Sequence, residues 1–524
     1  MISKFFEKFR SLTTFGGTVI LTSAVVTGVI VGVRQLGGLE GLELRTYDQL
    51  MRSRPEPGSD DRMLVVGISE EDIQQMNAPN IPDGTLAELL QKLEEYQPRV
   101  IGIDILRDVK VETGREQLVK VLQENENIIA ACKLSSPTEP GNPAAPGVPE
   151  ERIGFADLPL DRDVAIRRAI LVSIPFPTKV AIENPHYCNY VSEENQIPSF
   201  ALNTAMVYLE GKDIYLDQTE EGNLALGSAV FKPLEEQSGG YYSTRAEDYQ
   251  IMINYRSGQN AVEQVTLTDV LEGKVDPNLV KDRVVMVGYT ATTKNDDFAT
   301  PYSAGGQDRV EMPGVVIHAQ IASQILASAL EGRPSIWYWS GWGEVLWIFG
   351  WSVVGGTLAW KIRRPWILVP AGIGAIAVLY GASYALFLQA GWIPLVPPAL
   401  ALVVTAGGVI LIDRYAQAVY KGVKKLLKID IDIDHSEKER QVAEITENET
   451  FQELQAKAKE LRRRKSTPTV EESTTEDIPP VINESPEVQP TEPKQEDESA
   501  SPDDYLQQLQ RRGKRMKKKE DDHE

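Results

Sequence analysis

From Pro365 to Ile412 the chain runs 48 positions without a charged residue. That length suits two membrane spans of roughly 20 residues each. A short polar turn at Gln389-Ala390-Gly391 separates 366–388 from 392–412. All eight tryptophans lie between Trp337 and Trp392, and tryptophan collects where helices pass from water into hydrocarbon. A third candidate span, 336–360, carries one charge, Glu344. The chain reads as an integral membrane protein, and Glu344 reads as an intramembrane carboxylate that could instead reach the interface.

A fourth span lies at the N-terminus. Residues 11–33 are uncharged and follow Lys4, Lys8 and Arg10. The apolar stretch is longer than a signal-peptide core and lacks an obvious cleavage site, so it reads as an uncleaved signal-anchor. Basic residues stay on the cytoplasmic side. Lys4, Lys8 and Arg10, then Lys361, Arg363 and Arg364, then Arg414, Lys421, Lys424, Lys425 and Lys428 all fall on one side under a four-span topology. Residues 1–10 and the C-terminus are then cytoplasmic and 34–335 extracytoplasmic, in a multi-pass protein of a bacterial plasma membrane.

The net charge of −22 argues against a nucleic-acid partner, which needs a basic face. The only cysteines, Cys132 and Cys188, both fall in the exported part, where disulfides persist. They could be two separate buried thiols or a bridge, and a bridge would be worth on the order of 4 kcal/mol by chain entropy.

Within 34–335, short β-branched runs alternate with amphipathic stretches. Strands are expected at 63–68, 100–106 and 128–132, with helices opening at Asp83 and covering 117–122. Ser135 to Leu160 is rich in Pro and Gly and reads as a long loop. Further strands are expected at 170–174, 251–254 and 284–288, and helices at 199–208, at 266–271 capped by Thr266, and from Pro313 towards Leu330. This rhythm implies an α/β fold with an open, mostly parallel sheet and helical crossovers. Residues 413–465 read as a basic juxtamembrane and amphipathic helical segment, and 466–524, rich in Pro, Glu, Ser and Thr, as a disordered tail.

Several motifs in the exported part resemble the type-two CHASE domain, the cyclase/histidine-kinase-associated sensing extracellular domain. They include Tyr47-Asp48, the run 63–68 followed by Ser69-Glu70-Glu71, the run 98–105, and Gly154-Phe155-Ala156-Asp157. Arg167-Arg168, 199–202 and 265–271 continue the match, which closes with 283–288, Lys294, Asp296, Thr300-Pro301 and 312–319. The resemblance implies a sensory body outside the membrane and a homodimer. Such domains usually feed a cyclase or kinase, but the 112 residues after Ile412 carry no phosphate-binding loop or kinase motif. The signal would therefore pass to a separate cytoplasmic protein.

In an open α/β sheet, ligands bind beyond the carboxyl ends of strands. That rule directs attention to 69–72, 104–108 and 288–293, and with the nearby Lys294 and Asp296 the candidate ligand residues are Asp72, Asp104, Arg107, Lys294 and Asp296. Asp104 lies within an apolar strand and needs a partner; Arg107, Arg167, Arg168 and Lys294 are the candidates, for a ligand site or for a structural salt bridge. Asp161, Asp163, Asp296 and Asp297 could offer oxygens to calcium, though acidic loops are more often simply solvated, and no metal or cofactor is assigned. His318 reads as a buried hydrogen-bonding residue. No Ser-His-Asp or Cys-His set has local support, so the chain is not read as an enzyme. The expected function is a membrane-anchored sensor with an unidentified extracytoplasmic ligand. The rival is an envelope scaffold that docks proteins without a ligand.

Overall fold

The computed structural model describes residues 15–242, 248–303 and 311–426, together with Lys457. Helix α1 (Phe15–Gln35) turns into α2 (Glu40–Ser53). The chain then alternates through β1 (Met63–Ile68), α3 (Glu70–Met76), α4 (Asp83–Glu95), β2 (Val100–Asp104), α5 (Arg115–Glu124), β3 (Ile128–Cys132) and β4 (Ile153–Phe155). An antiparallel excursion follows: β5 (Arg168–Ser173), β6 (Ile197–Pro198), α6 (Phe200–Glu210), a meander of β7 (Leu216–Gln218), β8 (Leu224–Leu226) and β9 (Ala229–Phe231), then β10 (Tyr249–Met252). The chain returns through β11 (Glu263–Thr266), α7 (Leu267–Leu271), β12 (Val284–Tyr289), β13 (Asp297–Phe298), β14 (Met312–Pro313) and α8 (Gly314–Glu331). Last come β15 (Trp337–Tyr338), α9 (Gly341–Lys361), α10 (Pro365–Phe387), β16 (Gly391–Trp392) and α11 (Val396–Leu426).

Six strands form the main sheet in the order β11-β1-β12-β2-β3-β4, and every neighbouring pair is parallel. Strands buried on both faces read as continuous apolar runs, as Met63–Ile68 and Ile128–Cys132 do. The pleat sends alternate side chains to opposite faces. Leu64, Val66 and Ile68 join a core with Leu86, Leu90 and Leu93 of α4, Leu118 of α5 and Val270 of α7. Met63 and Val65 face the other way, onto Tyr47 and Met51 of α2, Phe200 of α6 and Ile317 and Ile321 of α8. The result is a sheet between two helical layers. At Gly154 the fit leaves no room for a side chain, because a Cβ there would lie 2.6 Å from the Phe200 Cα.

Two strands that the sequence does not announce belong to the main sheet. Residues 153–155, inside the Pro- and Gly-rich stretch, form its edge strand β4. Residues 263–266 form the opposite edge, β11, immediately before α7. The sequence around 170 and 251 does make strands, but they pair antiparallel in a separate sheet, β10-β5-β6. Cys132 and Cys188 are joined by a disulfide with S–S 2.03 Å, which ties the loop before β6 to the end of β3.

Among the described residues, three helices are long and apolar enough to cross a membrane: Gly17–Gln35, Pro365–Phe387 and Val396–Asp413. Helix α9, in the region expected to hold a further span at 336–360, packs along α1. Its hydropathy is held down by Glu344 and by Trp342, Trp347, Trp351 and Trp360. It starts at Gly341 rather than Ile336, because Trp337 and Tyr338 pair with Gly391 and Trp392. Ser352 of α9 lies 2.6 Å from the Thr405 hydroxyl of α11 and also donates to the Ser23 carbonyl of α1. Helix α11 begins at Val396, later than the expected 392, and extends to Leu426. A second compact unit begins at Leu411, of which residues 411–426 and Lys457 are described. Apart from Lys457, residues 427–524 lie outside the described residues, and with them most of the expected segment 413–465 and all of the expected tail 466–524.

Candidate ligand cavity

The chain reaches β4 at one edge of the sheet, crosses to β11 at the other, and then inserts β12 between β1 and β2. Connections diverge around that insertion, and in open α/β sheets such a reversal leaves a crevice at the carboxyl ends of the strands. Here the crevice is a cavity of about 1010 Å³. Its wall is built by the residues that leave β2, β3, β4 and β12, closed by the first turns of α8 and by the loop before β13.

Asp104 is the last residue of β2, opposite Gly288 of β12. It sits deep in the domain while opening on the cavity, and burial pushes its carboxyl up to about 7. None of the four expected basic partners takes it. Arg167 and Arg168 engage other carboxylates, Arg107 faces Asp83 at 3.9 Å, and the Lys294 ammonium donates to the Pro79 carbonyl and to Asn80 Oδ1 at 2.8 Å. The expected salt bridge at Asp104 is therefore absent among the described residues. Each of the four bases is held by other acceptors.

Asp296 approaches from the loop before β13. Its backbone carbonyl accepts from Gly314 N at 2.8 Å, which holds it against the start of α8. A Cβ at residue 314 would lie 2.9 Å from Asp296 Oδ2, so glycine there leaves space for the carboxyl. Burial, then the negative charge of Asp104, raise Asp296 to about 7, against the favourable influence of His318. His318 lies one helical turn beyond Gly314 on α8, 3% exposed, edge-on to the Phe200 ring at 5.5 Å. Burial holds its imidazole down to about 4, so it is neutral near pH 7. One ring nitrogen faces the Ala156 carbonyl; the other, Nδ1, has no hydrogen-bond partner. The expected buried hydrogen-bonding histidine is thus half satisfied.

Residues 25–357, which are 333 of the 524, match the CHASE2 domain family. The chain belongs to the CHASE2 family. CHASE2 domains are extracellular sensory domains, and the match in this chain starts within α1 and ends within α9, so it takes in parts of both flanking helices. Comparisons with curated proteins and with solved structures return no match.

Within the CHASE2 domain the structure gathers Asp104, Arg107, Lys294 and Asp296 around one cavity and sets Asp72 apart. Asp72 is a capping residue. Its carboxylate accepts from Ser69 N and Oγ at 2.8 Å, and from Thr268 N at 3.0 Å, locking α3 to α7. Asp161 and Asp163, considered above as calcium ligands, are occupied by arginine: Arg167 Nη1 reaches them at 2.7 and 2.8 Å, and Arg168 Nη2 reaches Asp161 at 2.7 Å. Glu344 lies in the first turn of α9 and pairs with Arg34 of α1 at 2.5 Å, an end-of-helix contact rather than a mid-span one.

The sequence reading missed His318 as a wall residue, along with Asp157, whose carboxyl accepts from Leu134 N at 2.9 Å and is raised by burial to about 6. Both lie in runs that carry the family resemblance, 312–319 and 154–157.

Proposed function

We propose that this chain is a membrane-anchored sensory protein that binds a small polar ligand in the cavity outside the membrane and passes the change to a separate partner. The observation that carries the reading is the cavity at the strand ends of a CHASE2 domain, with buried, incompletely partnered polar groups on its wall. The disulfide fits an oxidising compartment. The alternation of basic clusters supports four spans, with 34–335 outside and both termini inside a bacterial plasma membrane. The role is binding rather than turnover.

A contiguous set of contacts supports a route from cavity to membrane. His318 stands at the cavity end of α8, and Gln324 of the same helix accepts from Asn254 N at 2.7 Å. Asn254 Oδ1 accepts from Arg54, which caps α2, at 2.5 Å. Helix α2 carries Tyr47 against Trp392, with ring centroids 5.0 Å apart, and Glu43, whose carboxylate accepts from Val396 N at 2.7 Å at the start of α11. A ligand that favours one arrangement of α8 would shift α2 and the helix ends below it.

The test is thermal unfolding of the full-length chain in lipid nanodiscs, with and without the dialysable small-molecule pool of cell extracts and spent medium. Stabilisation that disappears when the cavity is filled by Ile105→Trp supports the sensor. An unchanged unfolding temperature in every pool, with the variant behaving as the parent, supports a docking protein instead.

A further inference from the structure

We propose that the cavity takes a small primary amine, its ammonium held among the carboxyls of Asp104 and Asp296 and Nδ1 of His318. This rests on the sensory reading of the same cavity and adds the chemical class of the ligand.

The argument is an asymmetry of partners. Of the cations on the wall, Lys110 is exposed and the others are engaged, although the buried Arg107 keeps an unpartnered Nε. Lys294 donates to Pro79 and Asn80 and lies over the Tyr289 ring at 4.6 Å; Arg107 donates to the Ile81 carbonyl at 2.6 Å; Lys133 pairs with Glu139. Three deep acceptors are not engaged. The side chains of Asp104 and Asp296 have neither a hydrogen bond nor an ion pair among the described residues, and His318 Nδ1 is unpartnered. His318 lines the cavity, and its enclosed Nδ1 is left without a hydrogen-bond partner by the protein.

A primary ammonium brings three N–H donors and a positive charge, which answers both deficits at once. An anion would meet the carboxyls of Asp104 and Asp296, and the buried Arg107 already donates to Ile81 and faces Asp83. A polyol would supply donors but leave the charge uncancelled. Among the described residues, no group of three His, Cys, Asp or Glu side chains is set to hold a metal ion. Ile105, Leu158 and Phe298 on the same wall offer an apolar surface for the carbon stem.

The experiment is calorimetric titration of the full-length chain in nanodiscs at pH 8 with ethanolamine and putrescine, alongside acetate, glucose and CaCl2. Both amines are expected to bind and the other three not. Asp104→Asn and Asp296→Asn are each expected to weaken amine binding at least tenfold while unfolding at or above the parent temperature. If either variant fails to fold, Gly314→Ala, which crowds the Asp296 carboxyl, is expected to weaken binding in the same direction. Amine binding that is unchanged in these variants overturns the proposal. Binding of acetate, glucose or CaCl2 in place of the amines, lost in Asp104→Asn, overturns the amine while leaving a ligand cavity. Failure of all five probes overturns the amine and leaves the sensory reading to the small-molecule pools.

Discussion

Arg167 of β5 holds Asp48 of α2 by two parallel hydrogen bonds, Nε to Oδ1 at 2.7 Å and Nη2 to Oδ2 at 2.8 Å. The guanidinium is 1% exposed and also reaches Asp161 and Asp163. Asp161 in turn accepts from Arg168 and from the Tyr241 hydroxyl at 2.9 Å, and Tyr241 packs edge-on against Trp392. A buried ionic cluster thus joins the antiparallel sheet to the helix that meets the membrane-proximal aromatics. Removing one partner of such a cluster leaves uncompensated charge.

Arg167→Met is expected to destabilise the chain by about 3–5 kcal/mol, because Asp48 and Asp161 would stay buried without their cation. Urea unfolding in detergent, followed by circular dichroism, reads this directly. A loss below about 1 kcal/mol would mean that the carboxylates find other donors.

Arg34 and Glu344 join the last turn of α1 to the first turn of α9, and Arg34 also donates to the Gly239 carbonyl of the exported domain. Arg34→Ala and Glu344→Gln are each expected to destabilise, with a coupling of about 0.5–3 kcal/mol in a double-mutant cycle. Strictly additive effects would show that the pair acts independently.

The raised carboxyl of Asp104 makes a signed prediction about pH. The folded state holds this proton up to about pH 7, whereas an unfolded aspartate loses it near 4. Its contribution to stability therefore falls as pH rises from about 4 to 7. Asp296, His318, Arg107, Asp108, Lys110, Glu112, Lys133, Asp157, Tyr289 and Lys294 share this cavity, and Asp296 feels the charge of Asp104, so removing that charge also lowers the Asp296 carboxyl and adds to the effect at high pH. Asp104→Asn is expected to stabilise the ligand-free chain by on the order of 2 kcal/mol at pH 8 and to matter little at pH 4.5. A loss of stability at pH 8 would indicate a hidden cationic partner.

The disulfide closes a separation of 56 residues and anchors the segment around Cys188 to the end of β3, where Cys132 lines the cavity. Cys132→Ser with Cys188→Ser is expected to lower stability by about 2–5 kcal/mol and to weaken ligand binding, since one cavity wall loses its tether. Unfolding curves with and without reductant check both the size and the cause.

The main-sheet strands with long aliphatic runs were legible because parallel strands buried on both faces leave no polar alternation to disguise them. Helices α4, α7 and α8 were legible from their openings at Asp83, Thr266 and Pro313. The edge strands β4 and β11 were not: Ile153-Gly-Phe155 is three residues long, and Glu263–Thr266 carries polar residues because an edge is partly solvated. Asp104 and Arg107 follow from the strand-end rule, whereas Lys294 enters as a basic partner for Asp104 and Asp296 as an acidic loop residue just beyond the third strand end. Asp72 was included by the same rule and excluded by its cap, which the sequence spells as Ser69 and Asp72 three apart. His318 escaped because a helix residue four places beyond Gly314 joins the cavity only once α8 is docked.

Every tryptophan lies between Trp337 and Trp392 and none lines the cavity, so tryptophan emission reports only on the membrane-proximal elements. The most direct measurement is the emission of the full-length chain in nanodiscs as ethanolamine fills the cavity, with occupancy followed in parallel by calorimetry. A saturable change in emission that tracks occupancy, shrinks in Trp392→Phe and vanishes in Asp104→Asn is expected. Calorimetric binding with no change in emission would contradict the transmission of the cavity's state to the membrane helices.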